Sequence, residues 1–243
     1  MRIFLSGASG AVGRELSALI ASDQSLELVG CADRGSVFPD DVVADVLIDF
    51  SNPELTLQSL AFADRKSIPA VIGTTGLNEA CQRRIEDAAR RIPVCVSANF
   101  SVGVTVMMDL VAQAASALPE LFDVEISEAH HRRKIDAPSG TALALAKQVA
   151  DARAQALQDQ AVFDRSNRRL ARHPGEIGFQ VTRGGDVVGE HAVQFLGDGE
   201  RLVISHGASD RSIFARGALF AAEKLCARPA GKVEFRDLVL GQA

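Results

Sequence analysis

The sequence predicts a two-part α/β protein. The first part is a parallel sheet covered by helices on both faces; the second is an α+β unit with a mainly antiparallel sheet. Three observations lead there. Short, near-continuous apolar runs alternate with helical patterns through the first part, as strands buried on both faces require. From Phe122 the pattern changes to strict alternation, Phe122, Val124 and Ile126 against Asp123, Glu125 and Ser127, which marks a half-buried strand of a different sheet. Beyond Glu176, three more strand candidates, Glu176 to Arg183, Val187 to Leu196 and Arg201 to His206, are joined through Gly184-Gly185-Asp186 and Gly197-Asp198-Gly199. Both junctions are hairpin signals, so an antiparallel meander is expected.

Taken in order, Arg2 to Ser6 is a strand, Gly7-Ala8-Ser9-Gly10-Ala11-Val12-Gly13 a glycine turn, and Arg14 to Ser22 an amphipathic helix. The G-x-x-G-x-x-G spacing is a variant of the dinucleotide fingerprint, whose bare backbone admits a pyrophosphate at a helix N-terminus. A second strand, Leu26 to Ala32, delivers Asp33 where an acidic residue meets the ribose hydroxyls, and Arg34 stands ready for a 2′-phosphate or the adenine. Asp33-Arg34-Gly35 as a plain solvated turn is the blander account, and its position after the strand favours binding. The first part therefore reads as a Rossmann-like nucleotide domain. Asp45 to Phe50 is its next strand, and Ser51-Asn52-Pro53 opens a helix to about Lys66, with proline at the first helical position. Pro69 to Ile72 ends in Gly73-Thr74-Thr75-Gly76, and Pro93 to Ser97 ends in Ala98-Asn99-Phe100-Ser101. These loops leave the carboxyl ends of strands, where ligands bind on such sheets. A charged helix from Asn78 to Arg91 separates them, and Val102 to Leu118 is a helix stopped by Pro119.

With 243 residues, 47% hydrophobic and 23% charged, the chain has ample material for a core. A net charge of −5 gives no global field for nucleic acid, and no run is long enough for a membrane span. Four cysteines without a C-x-x-C pair suit a reducing compartment, and a cytoplasmic location is expected. No repeat stands out.

The densest chemistry lies in Glu128-Ala129-His130-His131-Arg132-Arg133-Lys134-Ile135-Asp136-Ala137-Pro138-Ser139-Gly140-Thr141. Imidazole moves protons near neutral pH, an ammonium donates a proton or holds a carboxylate, and the first amides of a helix attract anions. If extended geometry persists, His130 and His131 point to opposite sides, one toward substrate and one structural. A metal site is not expected, because no third ligand has recognisable spacing and Arg132-Arg133-Lys134 repels a cation. Ser139 suffices as an N-cap, yet a bare Gly140 also leaves the Ser139, Gly140 and Thr141 amides open to a carboxylate. Ala142 to Leu157 reads as one long helix, and Asp159 to His173 as a polar, Arg-rich mobile loop.

The segment Glu128-Ala129-His130-His131, then Lys134, then Asp136 to Ala142, resembles the signature of the bacterial 4-hydroxy-tetrahydrodipicolinate (dihydrodipicolinate) reductase family. Gly73-Thr74-Thr75-Gly76, Ala98 to Val104 and Gly189-Glu190-His191 extend the resemblance over nearly the whole chain. It implies NADH- or NADPH-dependent reduction in diaminopimelate and lysine biosynthesis by a two-domain subunit of a homotetramer. In that arrangement residues 1–101 and 210–243 form the dinucleotide domain, rejoined by the helix from Asp210 to Cys226, and residues 102–209 form the substrate and oligomerisation domain. His130 and Lys134 would serve proton transfer, and His131, Ser139, Gly140 and Thr141 would hold a small dicarboxylate. Gly7 to Gly13, Asp33, Arg34, Gly73, Thr74, Thr75, Ser97, Ala98, Asn99 and Phe100 would line the cofactor. There are two departures: only eleven residues separate Asp33 from Asp45, a lost surface loop that should leave the chemistry intact, and Ala11 stands where many relatives carry arginine, so one 2′-phosphate contact is missing while Arg34 remains. A sugar or amino-acid dehydrogenase and a non-catalytic NAD(H) sensor are the rival readings. The carboxylate cradle argues against a neutral sugar, and the His130 and Lys134 pair against a sensor.

Overall fold

The computed structural model describes residues 1–166 and 169–241, so Asn167 and Arg168 of the expected polar loop, and the last two residues of the expected dinucleotide domain, lie outside the described residues. The chain divides into two compact units, one of residues 1–102 and 211–243, the other Gly103–Asp210. The first begins with β1 (Arg2–Ser6), α1 (Ala11–Ser22), β2 (Glu27–Ala32), β3 (Val46–Asp49), α2 (Pro53–Lys66), β4 (Ala70–Ile72), α3 (Glu79–Ala89) and β5 (Pro93–Val96). These strands are all parallel, in the order β5-β4-β3-β1-β2. Successive residues face opposite layers. Ile3, Leu5, Val46 and Ile48 meet Leu16 and Ile20 of α1, while Phe4 and Leu47 meet Leu60, Phe62 and Ala63 of α2 and Ile85 of α3. Each such fully buried side chain contributes roughly 1.5–3 kcal/mol of hydrophobic stabilisation. Local signals set the helix starts: the Asn52 side chain accepts the Leu55 amide at 3.1 Å ahead of Pro53, and the Asn78 side chain accepts the Cys81 amide at 3.0 Å.

The second unit carries α4 (Val102–Ala117), β6 (Asp123–His130), α5 (Gly140–Ala152), α6 (Leu157–Gln160), β7 (Ala161–Val162), β8 (Ile177–Arg183), β9 (Gly189–Gly197) and β10 (Glu200–Ala208). Its five strands run in the order β10-β9-β6-β8-β7. Val124 and Ile126 of β6, Phe179 of β8 and Val193 and Phe195 of β9 form one face, packed on Met107 and Val111 of α4 and Leu145 and Val149 of α5. The expected three-strand meander is corrected here. β9 and β10 form a hairpin, but β6 lies between β8 and β9, antiparallel to β9 and parallel to β8, so the sheet is mixed. Gly184-Gly185-Asp186 is a turn without being a hairpin: the Gly184 amide donates to the His130 carbonyl at 3.0 Å, and the Arg132 amide to that of Gly185 at 3.3 Å. The expected long helix is also shorter, ending at Ala152 where Ala154 turns to a φ of 52°. Arg165 and Arg172 of the polar stretch pair with Glu125 of β6, and Arg165 also with Glu176.

The chain then returns to the first unit as α7 (Ser212–Leu225), β11 (Gly231–Val233) and α8 (Phe235–Leu240). Ala218, Ala221, Ala222 and Leu225 of α7 cover the layer of Ile3 and Leu5. β11 extends the sheet beside β5 to six parallel strands. Among the described residues no helix is long and apolar enough to cross a membrane.

Candidate active site

The second unit assembles its chemistry at the end of β6 and the start of α5. Glu128 and His130 lie two residues apart on one strand, so both side chains leave by the same, buried face. His130 Nδ1 lies 2.6 Å from Glu128 Oε2, and the histidine side chain is only 11% exposed. Cross-strand register brings two more groups. Arg183 of β8 stands opposite His130 and grips both Glu128 oxygens at 2.7 and 2.8 Å, while His191 of β9 stands opposite Glu128. Glu128 Oε1 also accepts the Ser139 amide at 3.0 Å, so this amide, expected to stand open to a ligand carboxylate, is already taken by a carboxylate of the chain itself. Ser139 caps α5 by accepting the Ala142 amide at 3.1 Å, and its hydroxyl lies 2.9 Å from His191 Nε2. The hydroxyl oxygen keeps a second lone pair, so it pairs with His191 Nε2 in either tautomer of the imidazole.

Electrostatics set the charge on His191 and on Glu128. Burial, reinforced by the neighbouring His130, depresses His191 to about 4, so it is neutral at neutral pH. Burial alone would raise Glu128, but Arg183, His130 and the Ser139 amide outweigh it and hold the carboxyl below its usual range. An ionised Glu128 only accepts, so His130 Nδ1 donates to it and Nε2 is the nitrogen left to exchange protons. The His130 and His191 rings meet edge to face at 5.1 Å. Lys134 pairs with the exposed Asp136 at 2.9 Å, and its charge also acts on His191, which places it in the same neighbourhood. His131 follows the strand and is half-buried; Gly140 and Thr141, exposed and half-buried, occupy the first turn of α5, whose amides have no intrahelical acceptor. The Ala137-Pro138 peptide before the cap is cis. Sequence reasoning missed Glu128, Arg183 and His191 as site residues. The two-residue spacing of Glu128 and His130 was a legible signal, whereas Arg183 and His191 arrive only through strand register.

In the first unit the expected nucleotide residues gather beyond the carboxyl ends of the parallel strands. Gly7 has a φ of 83°, and a Cβ there would come within 2.3 Å of the Phe50 carbonyl oxygen, while one on Gly13 would fall 2.0 Å from that of Gly7. Only bare backbone closes this turn. α1 opens on Gly10 with no side-chain cap and no acidic residue in its first turn, so the turn and helix start fit a pyrophosphate. Asp33 is tied to the turn, accepting the Ser9 amide at 3.2 Å and its hydroxyl at 2.8 Å; Arg34 is exposed. The Gly73 amide donates to the Asp49 carbonyl at 2.7 Å, Thr74 is buried and Thr75 exposed. In the next loop the Ser97 hydroxyl donates to the Asn99 carbonyl at 2.7 Å and accepts the Asn99 amide at 3.2 Å, Ala98 is exposed, and the Phe100 ring is buried between Phe50 and Phe235. Phe100 thus has only its backbone to offer a ligand. Among the described residues no group of three or more His, Cys, Asp or Glu side chains is arranged to hold a metal ion.

Family models describe both parts of the chain: dihydrodipicolinate reductase, N-terminus, over residues 35–100, and dihydrodipicolinate reductase, C-terminus, over residues 103–239. The chain belongs to the dihydrodipicolinate reductase family. Membership makes it an oxidoreductase of the nicotinamide-dependent kind, and the second match spans the mixed sheet as well as α7, β11 and α8. Solved structures agree in fold. A dipicolinate-bound dihydrodipicolinate reductase from Paenisporosarcina sp. TG-14 is 23% identical, with a TM-score of 0.75 over 96% of this chain and 97% of that one. A myo-inositol dehydrogenase from Corynebacterium glutamicum ATCC 13032 is 18% identical, with a TM-score of 0.56 over 100% and 93%. An engineered D-amino acid dehydrogenase bound to NADP+ is 14% identical, with a TM-score of 0.53 over 98% and 95%.

Proposed function

We propose that the chain reduces 4-hydroxy-tetrahydrodipicolinate, the hydrated form of dihydrodipicolinate, to tetrahydrodipicolinate in the diaminopimelate and lysine pathway, with NADH or NADPH. The observation that carries this reading is the joining of a helix start whose Gly140 and Thr141 amides suit a carboxylate to a proton-exchanging His130 through one buried Glu128, which also holds the Ser139 amide. The relative with dipicolinate bound supports a planar dicarboxylate as the ligand class. Residues 1–101 and 210–243 hold the dinucleotide: Gly7 to Gly13 at the pyrophosphate, Asp33 and Arg34 at the ribose, and the Gly73 to Thr75 and Ser97 to Phe100 loops beyond. Residues 102–209 hold the substrate, with one carboxylate on the Gly140 and Thr141 amides beside the Ser139 cap, whose own amide Glu128 holds, and with His131 assisting.

A bound nicotinamide supplies the hydride. Loss of the 4-hydroxyl as water leaves a ring carbon conjugated with the imine, and reduction there puts electron density on the nitrogen and the adjacent carbon, so a proton donor must stand beside the ring. Lys134 donates that proton, and His130 exchanges one at Nε2. The α5 amides and the cations fix the ring's orientation by its carboxylates. The subunit assembles as a homotetramer through the mixed sheet, and mass in solution should be that of four chains; a monomer mass would refute it. Loss of NADH absorbance with freshly generated 4-hydroxy-tetrahydrodipicolinate tests the reaction. Lys134→Ala and His130→Ala should each lower turnover by roughly 10²–10⁴-fold with cofactor affinity retained; wild-type turnover in both would refute these roles.

A further inference from the structure

We propose that Glu128 is the positioning residue of this site, a buried carboxylate that sets the tautomer of His130 and the pose of the carboxylate cradle together. The inference rests on the function proposed above for His130 and α5, and it adds a residue that touches neither substrate nor cofactor. Its basis is how the two oxygens are used. Oε2 faces His130 Nδ1 at 2.6 Å, Oε1 takes the Ser139 amide at 3.0 Å, and Arg183 bridges both oxygens from below 3 Å. The carboxylate side chain is fully buried, so no water competes for these sites.

Two consequences follow from that division. Because an ionised carboxylate has no hydrogen to give, His130 carries its hydrogen on Nδ1 whether the ring is neutral or cationic, and every proton it exchanges passes through Nε2. Nε2 in turn points along Gly189, where an added Cβ would lie 3.1 Å away, so this nitrogen runs beside a strand bare of side chain. The second consequence concerns α5. The amide of its cap residue is held by Oε1, and Arg183 further donates to the Asp136 carbonyl at 2.6 Å, so the turn preceding the helix is fixed to the same pair of side chains as the imidazole. Rotation of Glu128 displaces the proton-exchanging nitrogen and the anion-holding amides at once, which is how a site keeps a bound ring in register with its acid.

Histidine selectively labelled with ¹⁵N reads this directly, with His130 assigned by loss of its signals in His130→Asn. The wild-type enzyme should show neutral His130 protonated on Nδ1; protonation on Nε2 overturns the proposal without any Glu128 variant. Glu128→Gln can keep an oxygen for the Ser139 amide but then turns its NH2 to His130, so the ring should reverse to the Nε2-protonated form. Turnover should fall at least about tenfold while KM for the dicarboxylate stays within about threefold. Glu128→Ala, which frees both groups, should lower kcat and raise KM together. A loss of thermal stability in Glu128→Gln with the His130 tautomer and kcat unchanged would make Glu128 purely structural and refute the proposal. If the wild-type enzyme did not reduce the substrate, the functional reading would fall, whereas the tautomer measurement would still stand or fall by itself.

Discussion

Asp49 is a second fully buried carboxylate, and its chemistry differs from that of Glu128 because no cation accompanies it. It ends β3 with Ser51 and Thr56 donating hydroxyl hydrogen bonds, the latter at 2.5 Å, and with the Thr74 hydroxyl alongside. Neutral donors recover only part of the hydration lost on burial, so burial wins and raises Asp49 to about 6. The folded state therefore binds a proton that the unfolded chain, titrating near 3.8, releases earlier. Stability from this group is complete below pH 3.8 and is lost as the pH rises toward 6, a swing of about 3 kcal/mol. Asp49→Asn removes the titration and keeps a group of the same shape, since a hydroxyl can rotate to accept from the new NH2. Urea unfolding should show Asp49→Asn gaining on the wild type by up to about 3 kcal/mol between pH 4 and pH 7; a gap independent of pH would show that Asp49 is not the titrating group. The tie matters to the nucleotide loops, because Ser51 also donates its amide to Thr74 at 2.9 Å.

At the scale of elements, the glycine turn between β1 and α1 bears on cofactor choice. Ala11, at the head of α1, is exposed and brings no cation to a 2′-phosphate, while Asp33 is anchored by Ser9 close to where that phosphate would lie; compensation falls to Arg34 and to Arg14, which donates to the Ser9 carbonyl. We expect kcat/KM for NADH and NADPH to lie within about tenfold, tilted toward NADH, and a hundredfold NADPH preference in steady-state kinetics would sink this. The turn itself was legible in the sequence, as were β1 to β5 and the helices between them, because these strands are apolar on both faces and Asn52, Pro53 and Asn78 announce their helices. The stretch from Glu128 to Thr141 was legible as composition. Its wiring was not, since a hairpin signal reports a turn and says nothing about which strand pairs with which. Gly184-Gly185-Asp186 marked the end of β8 correctly, yet the partner of β8 is β6, and that pairing is what sets Arg183 beside His130. The three-residue β11 passed unnoticed because Gly231, Lys232 and Val233 have no alternation to detect and are held by parallel pairing to β5.

For the whole molecule, the two units carry titrating groups of opposite sign in the same pH window. Asp49 makes the first unit more stable on acidification. His191 does the reverse in the second: its folded value of about 4 lies below the ordinary 6.5, so its contribution is full above pH 6.5 and is lost as the pH falls toward 4. The groups that act on it are His130 and Glu128 from β6, His206 from β10 and Lys134, and burial depresses His206 in the same direction. Asp64 and Glu128, both held below their ordinary values of 3.8 and 4.5, yield only at lower pH and leave the interval from 7 to 5 to the other groups. Each unit should then shift by about 1–2 kcal/mol between pH 7 and pH 5, in opposite directions. Calorimetry that resolves two transitions should find one moving up and the other down by several degrees on acidification. Should the chain unfold as one cooperative unit, the contributions offset, the wild-type midpoint stays nearly level, and Asp49→Asn exposes the histidine term as a midpoint that drops with falling pH. Parallel movement of two transitions, or a level midpoint in Asp49→Asn, would contradict this balance. Near neutral pH the depressed value keeps the His191 ring uncharged beside the Ser139 hydroxyl at the α5 cap; as the pH falls toward 4 the ring gains its proton and Nε2 becomes a donor to that oxygen.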